Sequence, residues 1–284
     1  MISVQEARKR ILTALPTMPT ETVHLAEAMD RVLSNEVKAR VTQPPFGVSS
    51  MDGYAVRSKD TIKVPIELNI VAEVAAGSMY AEALGPKEAV RIFTGSRIPS
   101  GADTVIIQEN VKTKGNAITI KNTAKIGENI RPKGLDFFEG ETGIAANKLL
   151  TARDIGLAAA MNIPWLQVYR RPRVALLATG NEIVRPGERI GPNQIVSSNS
   201  LAIAGLIKKS GGETIDLGIA KDNQNSIQEM TKHIKGADLL ITMGGASVGD
   251  HDLIRQSLKV EGLKLDFWRV AMRPGKPLIF GMLN

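Results

Sequence analysis

The stretch Ala237-Asp238-Leu239-Leu240-Ile241-Thr242-Met243-Gly244-Gly245-Ala246-Ser247-Val248-Gly249-Asp250-His251-Asp252 decides the fold. Residues 239–243 form a nearly unbroken apolar run. A run so short and so apolar predicts a strand buried on both faces, as in a parallel sheet under helices. The pattern then breaks at Gly244, Gly245 and Gly249, and Leu253, Ile254, Leu258 and Val260 follow at near-helical spacing. A strand, a glycine loop and a helix together aim backbone N–H groups and a helix N-terminus at an anion.

Working outward from this unit, the pattern from Arg173 onward alternates strand and helix. Strands are predicted at Val174–Ala178, Glu213–Ile219, 239–243 and near Leu265–Val270. Helices are predicted over Asn199–Lys209, with Gly211-Gly212 past the end, from a Ser226 cap through Ile227, Met230 and Ile234, and after Asp252. That alternation predicts a doubly wound, mostly parallel α/β domain whose ligands sit beyond the carboxyl ends of the strands.

The amino-terminal half reads differently. Ser3 and Glu6 suggest a capping box for a helix over 3–15 that Pro16 and Pro19 stop. A short helix around Leu25–Asp30 and an extended piece from Arg31 to Val37 follow. Gln43 to Val56 carries two prolines and an Asp52-Gly53 turn signal and reads as a covered loop. Strands are expected at Ile62–Ala72, Ala89–Thr94, Thr104–Val111 and Ala117–Lys121, the last two joined at Lys114-Gly115-Asn116. Thr151 and Asp154 open a helix to Met161, expected to pack on the first one. The predicted organisation is a helical linker region (1–40 with 141–168), an inserted β-rich domain (41–140) and the α/β domain (169–284).

Composition narrows the function. At 284 residues with 43% apolar and 23% charged residues, this is ordinary globular protein, without a membrane-length apolar window or signal-peptide pattern. The absence of cysteine excludes disulfides and thiolate metal sites and fits the cytoplasm. The three histidines (His24, His233, His251) lack metal-ligand spacing, so any metal should be a hard cation on carboxylates, such as magnesium. A net charge of +7 favours an anionic ligand, but scattered basic residues and 4% aromatics argue against nucleic acid.

Each predicted strand ends in polar groups beside glycine or proline: Thr179-Gly180-Asn181-Glu182, Lys221-Asp222, Gly244 to Asp252, and Arg273-Pro274-Gly275-Lys276-Pro277. Glu182, Asp222 and Asp252 could converge on one rim, where a magnesium ion bridging them to a phosphate would relieve their repulsion. Arg273 and Lys276 add positive charge for an anion. Each residue also has a structural alternative: Glu182 as solvated loop, Asp222 as a helix starter, Asp252 as a charge favourable to a helix dipole.

Taken in order, the motifs resemble the MoeA family, the molybdopterin molybdenumtransferases, which include the E domain of gephyrin. Ser50-Met51-Asp52-Gly53-Tyr54-Ala55 is similar to its SxMDGYA loop. Thr94-Gly95, Pro99, Gly101-Ala102-Asp103 and Glu109 resemble TGxxxPxGADxVxxxE. Glu128 to Arg131 with Gly134 and Asp136 resembles ENIRxxGxD, and Thr179 to Glu182, Ser198-Asn199, Gly244 to Asp252 and Pro274 to Pro277 follow in family order. The resemblance implies insertion of molybdenum from molybdate into adenylylated molybdopterin, with release of AMP and dependence on magnesium, by a homodimer. It implies that Glu182, Asp222 and Asp252 hold magnesium and act in adenylate cleavage. Arg273 and Lys276 would hold molybdate. Thr179, Ser198, Asn199, Gly244, Gly245, Ser247 and Gly249 would contact the pterin nucleotide, and Asp52, Thr94, Arg131 and Asp136 would form a facing wall. A molybdopterin adenylyltransferase is an expected partner.

Three positions depart from the pattern: Arg273 where lysine is common, Asn181 where many members have Asp, and Ser197 in place of a larger polar residue. The family also continues past Gly281-Met282-Leu283-Asn284 with a PGNP-type loop, a helix and a small β domain, so an incomplete α/β domain and no C-terminal β domain are expected. The alternatives are a non-catalytic molybdopterin-binding fragment or scaffold module, and an adenylyltransferase of the MogA type. The β insertion and the Asp52 loop argue against the last.

Overall fold

A computed structural model describes residues 1–244 and 253–283. The chain forms two compact units, one of residues 1–21 and 168–284 and the other of residues 22–167.

Helix α1 (Val4–Ala14) opens the chain. The Ser3 hydroxyl accepts from the Glu6 N–H at 3.1 Å, which is half of the expected capping box. The Glu6 carboxylate goes instead to Arg10 at 2.8 Å, four residues on, and Arg10 also reaches Asp266 at 3.1 Å. An ion pair one turn along the helix competes with the box for the same oxygens. Ala7 is buried with Phe267 and Val270, so α1 packs within the α/β unit.

The unit of residues 22–167 is built on a mixed six-stranded sheet. Its strands include β2 (Gly53–Val56), β3 (Ile66–Val74), β4 (Glu88–Ile92), β5 (Thr104–Ile107), β6 (Val111–Lys114) and β7 (Ala117–Ile120); β1 (Val48–Ser49) lies outside that sheet. The order is β5-β2-β4-β3-β7-β6, and only β3 and β4 run parallel. Tyr54 and Val56 pack with Leu68, Ala89, Ile106 and Ile118 on one face, while Ala55, Ile92 and Val105 pack on the other. Gly115 sits at φ 59° in the β6–β7 hairpin turn.

Two expectations fail in this unit. The strand predicted over Thr104–Val111 is broken by a 3-10 turn at Gln108–Asn110, whose first amide donates to the Asp52 carbonyl at 3.1 Å. The segment read as loop contains β2, buried along its whole length. A Cβ on Gly53 would collide with the Ile106 carbonyl oxygen, so this glycine allows close strand approach where the Asp-Gly pair signals a turn. Strand β8 (Ile130–Arg131) pairs antiparallel with β1. Helix α2 (Ala152–Ala160) carries a full capping box between Thr151 and Asp154.

In the α/β unit, β9 (Arg173–Thr179) is followed by α3 (Asn199–Lys209), β10 (Glu213–Ala220), α4 (Gln224–Thr231), β11 (Leu239–Met243) and α5 (Leu253–Val260). These strands form a parallel sheet in the order β10-β9-β11. Leu177 and Ala220 are buried against Ile227 of α4 and Ile254 and Leu258 of α5. At the strand starts the Asp238 carboxylate takes both guanidinium nitrogens of Arg170, at 2.6 and 2.9 Å, and the Arg173 N–H at 2.7 Å. Asn223, not Ser226, caps α4, and the Ser226 hydroxyl instead accepts from the Lys221 N–H. The predicted fourth strand, β12 (Lys264–Arg269), lies outside the parallel sheet and forms an antiparallel pair with β13 (Pro277–Met282). The Arg273–Lys276 segment is therefore the connection of a hairpin and not the end of a parallel strand.

Candidate functional site

Strand order places the site in the α/β unit. The chain leaves β9 toward β10 on one side and then crosses back to β11 on the other. The position between the carboxyl ends of β9 and β11 is therefore the topological switch point of the sheet, where open α/β sheets bind their ligands. Gly244, at φ 93°, ends β11 so close to β9 that a Cβ would collide with the Thr179 carbonyl oxygen. Thr179 is buried, and its hydroxyl has no hydrogen-bond partner among the described residues.

The loops after β9 and β10 are joined by a reciprocal pair of bonds. The Asn181 N–H donates to Asp222 Oδ2 at 3.3 Å, and the Asp222 N–H donates to Asn181 Oδ1 at 3.2 Å. Gly180 N–H adds a bond to the Ala220 carbonyl at 3.1 Å. Next in the chain, Glu182 folds its carboxylate back over Gly180, with oxygens 2.6 and 2.7 Å from the place of a Gly180 Cβ. Two predicted carboxylates, Glu182 and Asp222, thus occupy adjoining exposed loops at the strand ends. Gly245, Ser247, Gly249 and Asp252 lie outside the described residues. Ser198 and Asn199 are exposed at the start of α3, where Ser198 makes no side-chain cap bond. Arg273 and Lys276 are exposed in the β12–β13 connection. Among the described residues no group of three or more His, Cys, Asp or Glu forms a metal cage. The described donors, two solvated carboxylates, suit a hard cation that keeps several waters.

Of the residues predicted in the unit of residues 22–167, Asp52 and Thr94 come together. Asp52 Oδ1 accepts from both the Thr94 N–H and the Thr94 hydroxyl, each at 2.8 Å. These two bonds, and after them the charge of Arg91, hold the Asp52 carboxyl below its ordinary range. Ser49 is tied to this turn through the Gly95 and Ser96 backbone, and Ser50 N–H donates to the Asn129 carbonyl. The β1–β8 pairing then sets Arg131 opposite Val48. Asp136 is exposed on a separate turn, whose backbone is bonded to Gln43 and Pro44.

Sequence reasoning missed two residues here. Arg91 stacks on Tyr54 and Phe93, with its guanidinium carbon 5.1 and 4.8 Å from the ring centroids, and bonds the Gly53 carbonyl and the Gln108 side chain. An arginine inside a strand-like run with aromatics nearby was the available signal. Asn181 was read only as a departure, although its side chain and amide join the two carboxylate loops. In the motif around Gly101-Ala102-Asp103 the groups are structural. Asp103 accepts from the Ser58 N–H and hydroxyl at 2.6 and 2.8 Å, and Gly101 sits at φ 87° against Leu84.

Comparisons with known proteins agree with this architecture. Residues 2–162 match the family described as the MoeA N-terminal region (domain I and II), and residues 175–284 match the probable molybdopterin binding domain. A molybdopterin molybdenumtransferase of a Nostoc species is 41% identical over 98% of this chain and 66% of that protein. The Haemophilus influenzae protein of the same name is 36% identical over 100% and 70%. The crystal structure of the molybdopterin biosynthesis MoeA protein from Pyrococcus horikoshii superposes with a TM-score of 0.86 at 31% identity, covering 99% of this chain and 72% of that one. The chain spans about two-thirds to seven-tenths of the length of these relatives. With both halves matched and the strand ends so arranged, the chain belongs to the MoeA family of molybdopterin molybdenumtransferases, proteins of molybdenum cofactor biosynthesis.

Proposed function

We propose that this chain provides the pterin-nucleotide and molybdate sites of a molybdenum insertase, which takes adenylylated molybdopterin and molybdate, cleaves the adenylate and releases AMP. The observation that carries the reading is the Asn181–Asp222 clamp, which draws the loops after β9 and β10 together beside the switch point between β9 and β11. On this reading residues 169–284 are a doubly wound, MogA-like molybdopterin-binding domain, residues 41–140 the β-rich domain, and 1–40 with 141–168 the linker region, whose first helix, α1, packs within the α/β unit. The setting is cytoplasmic, and no helix among the described residues is long and apolar enough to cross a membrane.

Glu182 and Asp222, with Asp252, hold magnesium. The cation, when bound, screens phosphate charge as the adenylate is cleaved. Thr179 and Gly244 let the pterin phosphate approach backbone, with Gly245, Ser247 and Gly249 in the same loop and Ser198 and Asn199 at the start of α3. Arg273 and Lys276 attract the molybdate dianion. Asp52 is kept ionised by Thr94, and Arg131 and Asp136 line the same wall; in a homodimer that wall faces the α/β unit of the other copy. A molybdopterin adenylyltransferase supplies the adenylylated pterin. The test is AMP release from adenylylated molybdopterin, with molybdate and magnesium present and each omitted in turn. Release that needs both supports the reading, whereas pterin binding without release points to a binding module.

A further inference from the structure

Val48 stands between two arginines. On one side it pairs with Arg131 in the β1–β8 ladder, and on the other it forms an isolated β-bridge with Arg97. Two backbone bonds flank that bridge: Ile98 N–H donates to the Gly47 carbonyl at 3.0 Å, and Ser49 N–H to the Ser96 carbonyl at 2.9 Å. Residues directly opposite each other point to the same face, so Arg97, Val48 and Arg131 form one cross-strand row. The neighbours Ile98 and Ile130 pack on the buried cluster of Ala55, Ile92 and Val105. Alternation along a strand therefore turns Arg97 and Arg131 the other way, and both are exposed.

Neither guanidinium has a hydrogen bond or an ion pair among the described residues. Other arginines of this unit are committed: Arg57 to Asp60, and Arg91 to the Gly53 carbonyl and Gln108. Two carboxylates close in sequence are engaged elsewhere, Asp52 by Thr94 and Glu128 by the Lys125 N–H. Arg97 is nevertheless held in place. Its guanidinium carbon lies 4.8 Å from the centroid of the Phe46 ring, which is 36% exposed. Stacking uses the face of a guanidinium and leaves the N–H donors at its edge free. The row sets the Cα atoms of Arg97 and Arg131 about 10 Å apart, a span that two arginine side chains can close around one small ion. Two unpaired cations on one face repel each other until an anion lies between them.

We propose that Phe46, Arg97 and Arg131 form a binding site for a tetrahedral oxyanion carrying two negative charges. The forked N–H donors of each guanidinium take oxygens of the ion, and the Phe46 ring holds Arg97 in position to do so. A phosphate group and molybdate share this chemistry. Thr94, which bonds Asp52, lies three residues before Arg97, so the site adjoins the Asp52 wall. Arg97 stands where the TGxxxPxGAD pattern leaves the residue open, and Phe46 precedes the SxMDGYA loop. The site is therefore a feature of this chain's own residues and is not carried by the motifs. Assigning the ion to a substrate of the insertase rests on the proposed function; the site itself does not.

The test is NMR of the arginine Nε–Hε groups of residues 1–284 at low ionic strength, titrated with inorganic phosphate and, separately, with molybdate. The Arg97 and Arg131 signals should move together with each saturating ion, and the tighter of the two names the occupant. Acetate at matched ionic strength should leave them in place. Arg97→Gln should weaken binding read at Arg131 by about tenfold or more, and Arg131→Gln should do the same read at Arg97. Phe46→Leu should weaken it by about threefold. Lys112→Gln removes an equal charge from the same unit outside the row and should change it by less than about twofold. Signals that ignore both ions, that follow acetate equally, or that respond to Lys112→Gln as much as to Arg97→Gln overturn the proposal. Unchanged binding in Phe46→Leu overturns the part given to the ring. AMP release measured on the same samples separates the two readings. Dianion binding without AMP release keeps this site and removes the insertase, whereas AMP release with unmoved arginine signals does the reverse.

Discussion

Asp154→Asn tests the electrostatics of the α2 start quantitatively. Asp154 is buried, accepts from the Thr151 N–H and hydroxyl at 2.9 and 2.7 Å, and takes the Lys148 ammonium at 2.6 Å. Foremost the Lys148 bond, opposed by burial and then aided by the Thr151 bonds, lowers its carboxyl from 3.8 to about 2. At 1.36 kcal/mol per pKa unit that lowering corresponds to about 2 kcal/mol. Lys148 is half exposed, so screening reduces the measurable part to about 1–2 kcal/mol. The folded value lies below the unfolded one, so this stability is fully present above pH 4 and is lost as pH falls through about 2. Asparagine mimics the protonated acid. Urea unfolding should therefore show Asp154→Asn less stable by about 1–2 kcal/mol at neutral pH, with the gap closing toward about 0.4 kcal/mol at pH 2. A gap that stays constant between neutral pH and pH 2 would refute the assignment of this stability to an ionised Asp154.

Gly53→Ala should cost about 2–3 kcal/mol, because the added carbon meets the Ile106 carbonyl in the middle of a sheet. Gly156→Ala, in an exposed helical position with open space, should stabilise by about 0.5–1 kcal/mol, and urea midpoints of the two variants should move in opposite directions. Thr94→Ala should raise the Asp52 pKa without restoring its ordinary value, because the Thr94 N–H bond remains; carboxyl-carbon NMR titration reads this, and an unmoved value would remove the hydroxyl from the account. Asp52→Ala should lower AMP release although Asp52 lies in the other unit, and unchanged turnover would remove the Asp52 wall from the proposed site.

The α/β half was legible because its signals are local. The apolar run 239–243, the Asn199–Lys209 helix and the Glu213–Ile219 strand stand at nearly the predicted residues. What the sequence concealed depends on distant partners. Gly53 resembles a turn glycine until Ile106 is placed beside it, and the 104–111 strand looks continuous until Gln108 bonds Asp52. The antiparallel β12–β13 pair carries no mark in β12 that separates it from a parallel strand, since its partner lies past a hairpin. In the candidate site, residue types at the strand ends were readable, and Asp52 was placed with Thr94. Asn181 was not singled out, because a reciprocal amide–carboxylate clamp exists only once two loops 41 residues apart in sequence meet.

The most direct measurement is single-turnover AMP release by the wild-type chain against Asp222→Asn and Glu182→Gln, with pterin-nucleotide binding followed in parallel. The account predicts that binding persists while release falls by about a hundredfold or more in each variant at fixed magnesium. Wild-type release in either variant would contradict the assignment of the Glu182–Asp222 rim to adenylate cleavage.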